Sequence, residues 1–109
     1  MNLAYMIDRA ARWYPDNTAV VDTRGRYLFK NVWAHSNQMA HALFKLGHIK
    51  GDRVAIVCAN CVEYVELDLA LYKTGIVRVG LNPRLSAEEI LTMTNDSGAK
   101  SIFISSDYL

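Results

Sequence analysis

The chain has 109 residues, 51% hydrophobic, 21% charged and 10% aromatic, a globular composition that excludes a disordered polymer. Its 12 basic and 11 acidic residues leave a formal net charge of +1 without a cluster of either sign, so the basic stripe of a nucleic-acid binder is missing. The longest uncharged, apolar-leaning run, Val54 to Val62, is about half of the ~20 residues that a membrane-spanning helix requires, so no transmembrane segment is expected. Asp8 and Arg9 fall where a signal peptide keeps its apolar stretch. With two cysteines and no leader expected, the predicted location is cytoplasmic.

Leu3, Met6, Ile7, Ala10 and Trp13 recur at helical spacing behind Asn2, a good capping residue, and Pro15-Asp16-Asn17 ends that helix. A β-branched run from Thr18 to Thr23 predicts a strand, which Arg24-Gly25-Arg26 turns into a second one over Tyr27-Leu28-Phe29. Asn31 is the expected cap of a long helix carrying Val32, Ser36, Met39, Ala40, Leu43 and Leu46 on one face, with Gly47 as its stop. Val54-Ala55-Ile56-Val57 is continuously apolar, the mark of a strand buried on both faces. A helix follows from Cys61 to Thr74, expected to bury Val62, Val65, Leu69 and Tyr72 and to leave Leu67 and Leu71 without a partner surface. Ile76 to Gly80 is the next strand. Ser86-Ala87-Glu88-Glu89 has the form of a capping box opening a helix with Ile90, Leu91 and Met93, which Gly98 stops. Lys100 to Ser105 is the last strand. The expected fold is α/β: an N-terminal helix and β-hairpin, a long helix, then a βαβαβ unit with a small parallel sheet. Three parallel strands are few for a free-standing domain, so residues 1–109 are expected to be an incomplete domain, the opening of a longer chain that self-associates when alone.

A βαβ unit invites a nucleotide reading, yet neither G-x-G-x-x-G nor G-x-x-x-x-G-K-[ST] occurs, and the first strand-to-helix turn, Cys58-Ala59-Asn60-Cys61, has no glycine. That turn does contain a C-x-x-C, placed where thioredoxin-like proteins keep theirs; a thiol near a helix N-terminus is favoured as thiolate. One reading is a small redox or interaction module using Cys58 and Cys61. The other takes Cys58 as a small apolar residue ending a buried strand and Cys61 as incidental. Zinc needs further ligands, and His35, His41 and His48 all lie on or just after another helix, so no metal site is expected. His41 and His48 are expected at a solvated surface, Glu63 and Glu66 as a charged helix start, and Trp13, Trp33, Tyr64 and Tyr72 in the core. No nucleophile with its base and orienting group is visible, so no catalytic residue is assigned.

The run Leu43-x-x-x-Gly47-x-x-x-Gly51-Asp52-Arg53-Val54-Ala55-Ile56 resembles a stretch of the adenylate-forming enzymes, the acyl-CoA synthetase and firefly luciferase superfamily. The likeness continues through Asn60, Glu63, Leu69-Ala70, Lys73-x-Gly75, Leu81-Asn82-Pro83-Arg84-Leu85-Ser86, Glu88-Glu89-Ile90 and Asp96-Ser97-Gly98-Ala99-Lys100, and so covers nearly the whole chain. The resemblance implies an ATP-dependent acid–thiol ligase that activates a fatty or aryl carboxylic acid as acyl-adenylate and passes the acyl group to coenzyme A. It implies ATP, Mg2+ and coenzyme A for the intact enzyme. In such enzymes the Ser/Thr/Gly-rich phosphate loop, the adenine and ribose contacts and the catalytic lysine lie downstream of this region, which implies that the segment alone is an inactive scaffold. In acetate-activating relatives an aromatic-Gly-Gly turn borders the coenzyme A nucleotide, and Asn82, Pro83 and Arg84 occupy the aligned positions here. Both glycines are replaced, so close backbone approach is lost; Arg84 offers a charge to phosphates instead. The alternative is that Asn82-Pro83 is only a rigid turn before a capped helix.

Overall fold

A computed structural model describes residues 3–108. The first helix, α1 (Ala4–Trp13), leads to an antiparallel hairpin of β1 (Thr18–Asp22) and β2 (Gly25–Leu28). The long α2 (Phe29–Lys45) follows, then β3 (Arg53–Val57), α3 (Val62–Thr74), β4 (Val77–Leu81), α4 (Ala87–Ser97) and β5 (Ser101–Ile104). A short 3-10 turn spans Ser106–Tyr108. The fold is mixed α/β with a three-stranded parallel sheet in the order β4-β3-β5, as the alternation of strands and helices predicts.

One helix start differs from the sequence reading, and another expected cap, Asn2, lies outside the described residues. The long helix begins at Phe29 rather than behind Asn31, with Leu28 extended before it and no side-chain cap. The cause is tertiary: the Phe29 N–H donates to the Asn17 carbonyl at 3.0 Å and the Lys30 N–H to the Pro15 carbonyl at 3.2 Å. The turn after α1 thereby satisfies first-turn donors that a capping side chain would otherwise take.

The main core joins Ala40 and Leu43 of α2, Val54 and Ile56 of β3, and Leu67, Ala70 and Leu71 of α3. This corrects the expected face of α3. Leu67 and Leu71 are buried, whereas Val65 and Tyr72 are more than a third exposed. The helix is pressed by the sheet on one side and by α2 on another, so its buried stripe is wider than a two-layer amphipathic pattern suggests. A second cluster, Val32, Val62 and Leu69, receives Ile7 of α1 and Val20 and Tyr27 of the hairpin. The aromatic expectation also fails in part: Trp13 is 65% exposed under the Arg9 guanidinium, and Trp33 and Tyr64 are only half-buried. Leu46, expected on the inner face of α2, is exposed beyond the last turn.

Side chains alternate across β3, so Ala55 and Val57 face away from α2 and α3. Ala55 pairs with Val79 and Ile102, and Val57 with Leu81 and Ile104. This second face is thinly covered. Ile102, Ile104 and Val77 are exposed, and α4 buries no residue, with Leu91 62% exposed.

α4 does open with the predicted capping box. The Glu89 N–H donates to Ser86 Oγ at 3.2 Å while Glu89 Oε1 accepts from the Ser86 N–H at 3.1 Å. Because α4 has little tertiary support, this cap matters locally. Ser86→Ala is expected to lower stability by about 1 kcal/mol, read as a lower urea midpoint at unchanged slope. An unchanged midpoint would show that the helix start is held by something else.

Candidate functional site at the carboxyl edge of the sheet

β3 lies between β4 and β5, and the chain leaves β3 towards β4 but later crosses to β5 on the other side. Open α/β sheets bind ligands at such a divergence, outside the carboxyl ends of the strands. Three segments meet that edge: 58–61 after β3, 82–86 after β4, and 105–107 after β5. A cavity of about 820 Å³ opens beside the first and third of these, floored by Met39, Leu43, Ile56, Leu67 and Phe103; the turn 82–86 does not line it.

Asn82, Pro83 and Arg84 form the turn after β4. Asn82 Oδ1 accepts from the Arg84 N–H at 2.9 Å, and the Asn82 carbonyl accepts from the Leu85 N–H at 3.1 Å. The Asn82 side chain is thus spent on the turn itself. Arg84 is exposed, and its guanidinium has no hydrogen bond or ion pair among the described residues.

The hairpin supplies a polar lock for the start of α3. Asp22 accepts from the Arg24 N–H at 2.8 Å and from the Val62 N–H at 3.2 Å, so an aspartate 40 residues away caps α3 where Cys61 does not. Burial pushes the Asp22 carboxyl upward, but the two backbone N–H groups and the Arg24 guanidinium outweigh it and hold it below the ordinary aspartate range. The Arg24 guanidinium also bonds Glu63 and draws that carboxyl down to about 2. Glu66 does not belong to a solvated helix start. It is buried at 3% exposure with Oε2 2.6 Å from His35 Nδ1; burial raises its pKa against the opposing pull of His35.

Lys73 bolts α3 to α2. Its ammonium donates to Ser36 Oγ, to Asn37 Oδ1 at 2.6 Å and to the Trp33 carbonyl, over the Trp33 ring. Burial lowers its pKa to about 8, with Asp8 opposing.

His48 is buried, contrary to the surface position expected for it, while His41 is exposed as expected. His48 Nε2 stands 2.8 Å from Ser101 Oγ and Nδ1 stands 3.7 Å from Asp52 Oδ2, the order of a serine–histidine–aspartate set. The set is nevertheless sealed. It sits at the amino ends of β3 and β5, outside the cavity, and Asp52 is already taken by the Ile49 N–H at 2.8 Å and by Lys100. Its work is to pin the segment before β3 to β5. The Ile49 N–H, then Lys100 and His48, hold Asp52 below its ordinary pKa, with burial opposing.

Asp22, Asp52 and Glu63 all have folded pKa values below their unfolded ones, so the unfolded chain binds more protons in acid. Their stabilisation is complete above the ordinary carboxylate range near ~4 and is lost as pH falls through the depressed values. Glu66 has the opposite sign. A urea midpoint that falls steeply below pH ~4, and less steeply in Asp52→Asn, is the expected result; a flat acid profile would contradict these pairings.

Cys58 and Cys61 are not independent: their sulfurs lie 3.6 Å apart, both half-buried at the cavity rim. Burial, reinforced by Cys61, pushes the Cys58 thiol up to about 11. Among the described residues no three His, Cys, Asp or Glu side chains converge as metal ligands, and no helix is long and apolar enough to cross a membrane.

A small parallel sheet whose connections diverge at its carboxyl edge, without a glycine-rich cradle in the sequence, defines an α/β class outside the dinucleotide and P-loop types. Residues 7–108 match the family model described as AMP-binding enzyme, and the chain belongs to that family. The long-chain-fatty-acid–CoA ligase FadD13 of Mycobacterium tuberculosis is 36% identical over 103 residues, covering 93% of this chain and 20% of that protein. The solved Mycobacterium tuberculosis fatty acyl CoA synthetase superposes with a TM-score of 0.92 at 33% identity, covering 98% of this chain and 22% of the other. The O-succinylbenzoate coenzyme A synthetase of Bacillus subtilis, solved with AMP, gives a TM-score of 0.85 at 30% identity, covering 93% and 26%. The chain spans about one fifth of the length of the curated relatives it matches. A thioredoxin-like module finds no support in these similarities.

Proposed function

We propose that the chain is the N-terminal part of an ATP-dependent acid–thiol ligase, which activates a fatty or aryl carboxylic acid as acyl-adenylate and transfers it to coenzyme A in the cytoplasm. The observation that carries this reading is the alignment of almost the entire chain with a long-chain-fatty-acid–CoA ligase at 36% identity. Within such an enzyme these residues act as scaffold for part of the large N-terminal domain. They do not fit Mg2+-ATP: the sequence has no glycine-rich loop, and among the described residues no carboxylate cluster is placed to hold a cation. No phosphoryl step is therefore assigned to them. The contact assigned to this chain is the turn Asn82-Pro83-Arg84, with the unpaired Arg84 guanidinium facing a coenzyme A phosphate. We further propose that the chain self-associates when alone.

Acid-dependent exchange of labelled pyrophosphate into ATP tests the scaffold reading. The 109-residue chain is expected to remain at the blank; exchange above the blank by purified protein would overturn it. In a longer chain carrying this segment, Arg84→Ala is expected to raise the KM for coenzyme A severalfold at unchanged pyrophosphate exchange. An unchanged KM would reduce Asn82-Pro83 to a rigid turn before α4.

A further inference from the structure

We propose that Cys58 and Cys61 form an oxidation site, at which hydrogen peroxide converts the two thiols into an intramolecular disulfide. The sulfurs are 3.6 Å apart, so a bond of ~2.0 Å requires about 1.5 Å of closure. The surroundings permit that movement. Ala59 and Asn60 are exposed and belong to neither β3 nor α3. Cys61 stands at the N-cap position of α3 without a side-chain capping bond, and the Val62 N–H at the start of that helix is taken by Asp22. The Cys61 sulfur can therefore turn without costing α3 its cap. The Cys58 sulfur is held only by the carbonyl of its own neighbour, Ala59, at 3.1 Å and by Cys61 itself, so no distant group resists the closure. Both cysteines border the 820 Å³ cavity, which gives a small oxidant a route to them.

The two thiols have different roles. Burial holds the Cys58 thiol in its protonated form, so the attack on peroxide is assigned to the Cys61 sulfur, at the loop end of the pair. Its sulfur attacks one peroxide oxygen, the O–O bond breaks, and the departing hydroxide takes up a proton to become water, leaving Cys61 as a sulfenic acid. The Cys58 sulfur then attacks the Cys61 sulfur. The S–S bond forms, the S–O bond breaks, and the leaving hydroxide takes the Cys58 proton as the second water. Two thiols are oxidised by two electrons and one peroxide is reduced to two waters. This is a modification site on an AMP-binding chain, independent of the proposed ligase reading, and it gives the pair no turnover of its own.

The test treats the folded, reduced 109-residue chain with equimolar hydrogen peroxide, followed by alkylation and intact mass measurement. The expected product has lost two hydrogens, carries no alkylated cysteine, runs as a monomer on a denaturing gel without reductant, and regains both thiols with dithiothreitol. In Cys58→Ser, Cys61 is expected to stop at a sulfenic acid that a dimedone reagent traps. In Cys61→Ser, Cys58 is expected to stay alkylatable. Two alkylatable thiols in the treated wild type, a disulfide-linked dimer, or sulfurs that each gain oxygen would overturn the proposal, and these readouts on the wild type do not depend on how well either variant folds.

Discussion

Leu71→Ala is expected to destabilise the chain by about 2–5 kcal/mol, a large part of the ~5–15 kcal/mol that holds a small domain folded. Leu71 is 1% exposed and shares one cluster with Leu43, Val54, Ile56 and Leu67. Truncation removes buried methyl groups and leaves a cavity bounded by α2, β3 and α3. Rigid neighbours on three sides cannot collapse into it, which places the cost towards the upper end of the range. Urea denaturation followed by circular dichroism measures it. A loss within about 0.5 kcal/mol, as for a surface substitution, would return Leu71 to the exposed side of α3.

Association of the isolated chain is the second large effect. The expectation from sequence rests on Leu67 and Leu71 lacking a partner, but both lie in the core, so that reason is withdrawn. The structure supplies another. The face of the sheet under α4 leaves Val77, Ile102 and Ile104 exposed, α4 adds Leu91 and Met93, and β4 and β5 are both unpaired edges. Burying ~400 Å² of this surface on each of two copies yields about 20 kcal/mol at ~25 cal/mol per Å², before association costs of ~4–15 kcal/mol. The remainder spans the ~8 kcal/mol of a micromolar dissociation constant. Sedimentation at micromolar concentration is expected to show a dimer or larger species. Ile102→Lys with Ile104→Lys should return it towards a monomer without loss of helical signal, because neither side chain supports the buried cluster under α2 and α3. A compact 12.3 kDa wild-type monomer that unfolds cooperatively would refute self-association through this face.

The element order, the parallel sheet and the capping box at Ser86 and Glu89 were legible in the sequence, as was the burial of β3 on both faces. Each rests on local signals: apolar period, a hydroxyl three residues before a glutamate, and a glycine after a last turn. Gly75 and Gly98 follow that pattern, taking φ of +74° and +72° where α3 and α4 end. Resemblance in order and spacing also pointed to the adenylate-forming enzymes, and the family match agrees.

Tertiary structure alone decided which polar groups far apart in the sequence are partners. Asp22 caps α3 across 40 residues, Glu66 meets His35 across 31, and His48 meets Ser101 across 53. Local periodicity carries no information about such pairings, because they depend on how α2 and the hairpin dock against α3 and the sheet. The same docking moved the start of α2 to Phe29 and turned Leu67 and Leu71 inward. A sequence determines where a helix has an apolar side; how many neighbours press on it, and so how much of its circumference is buried, is settled only when the layers pack.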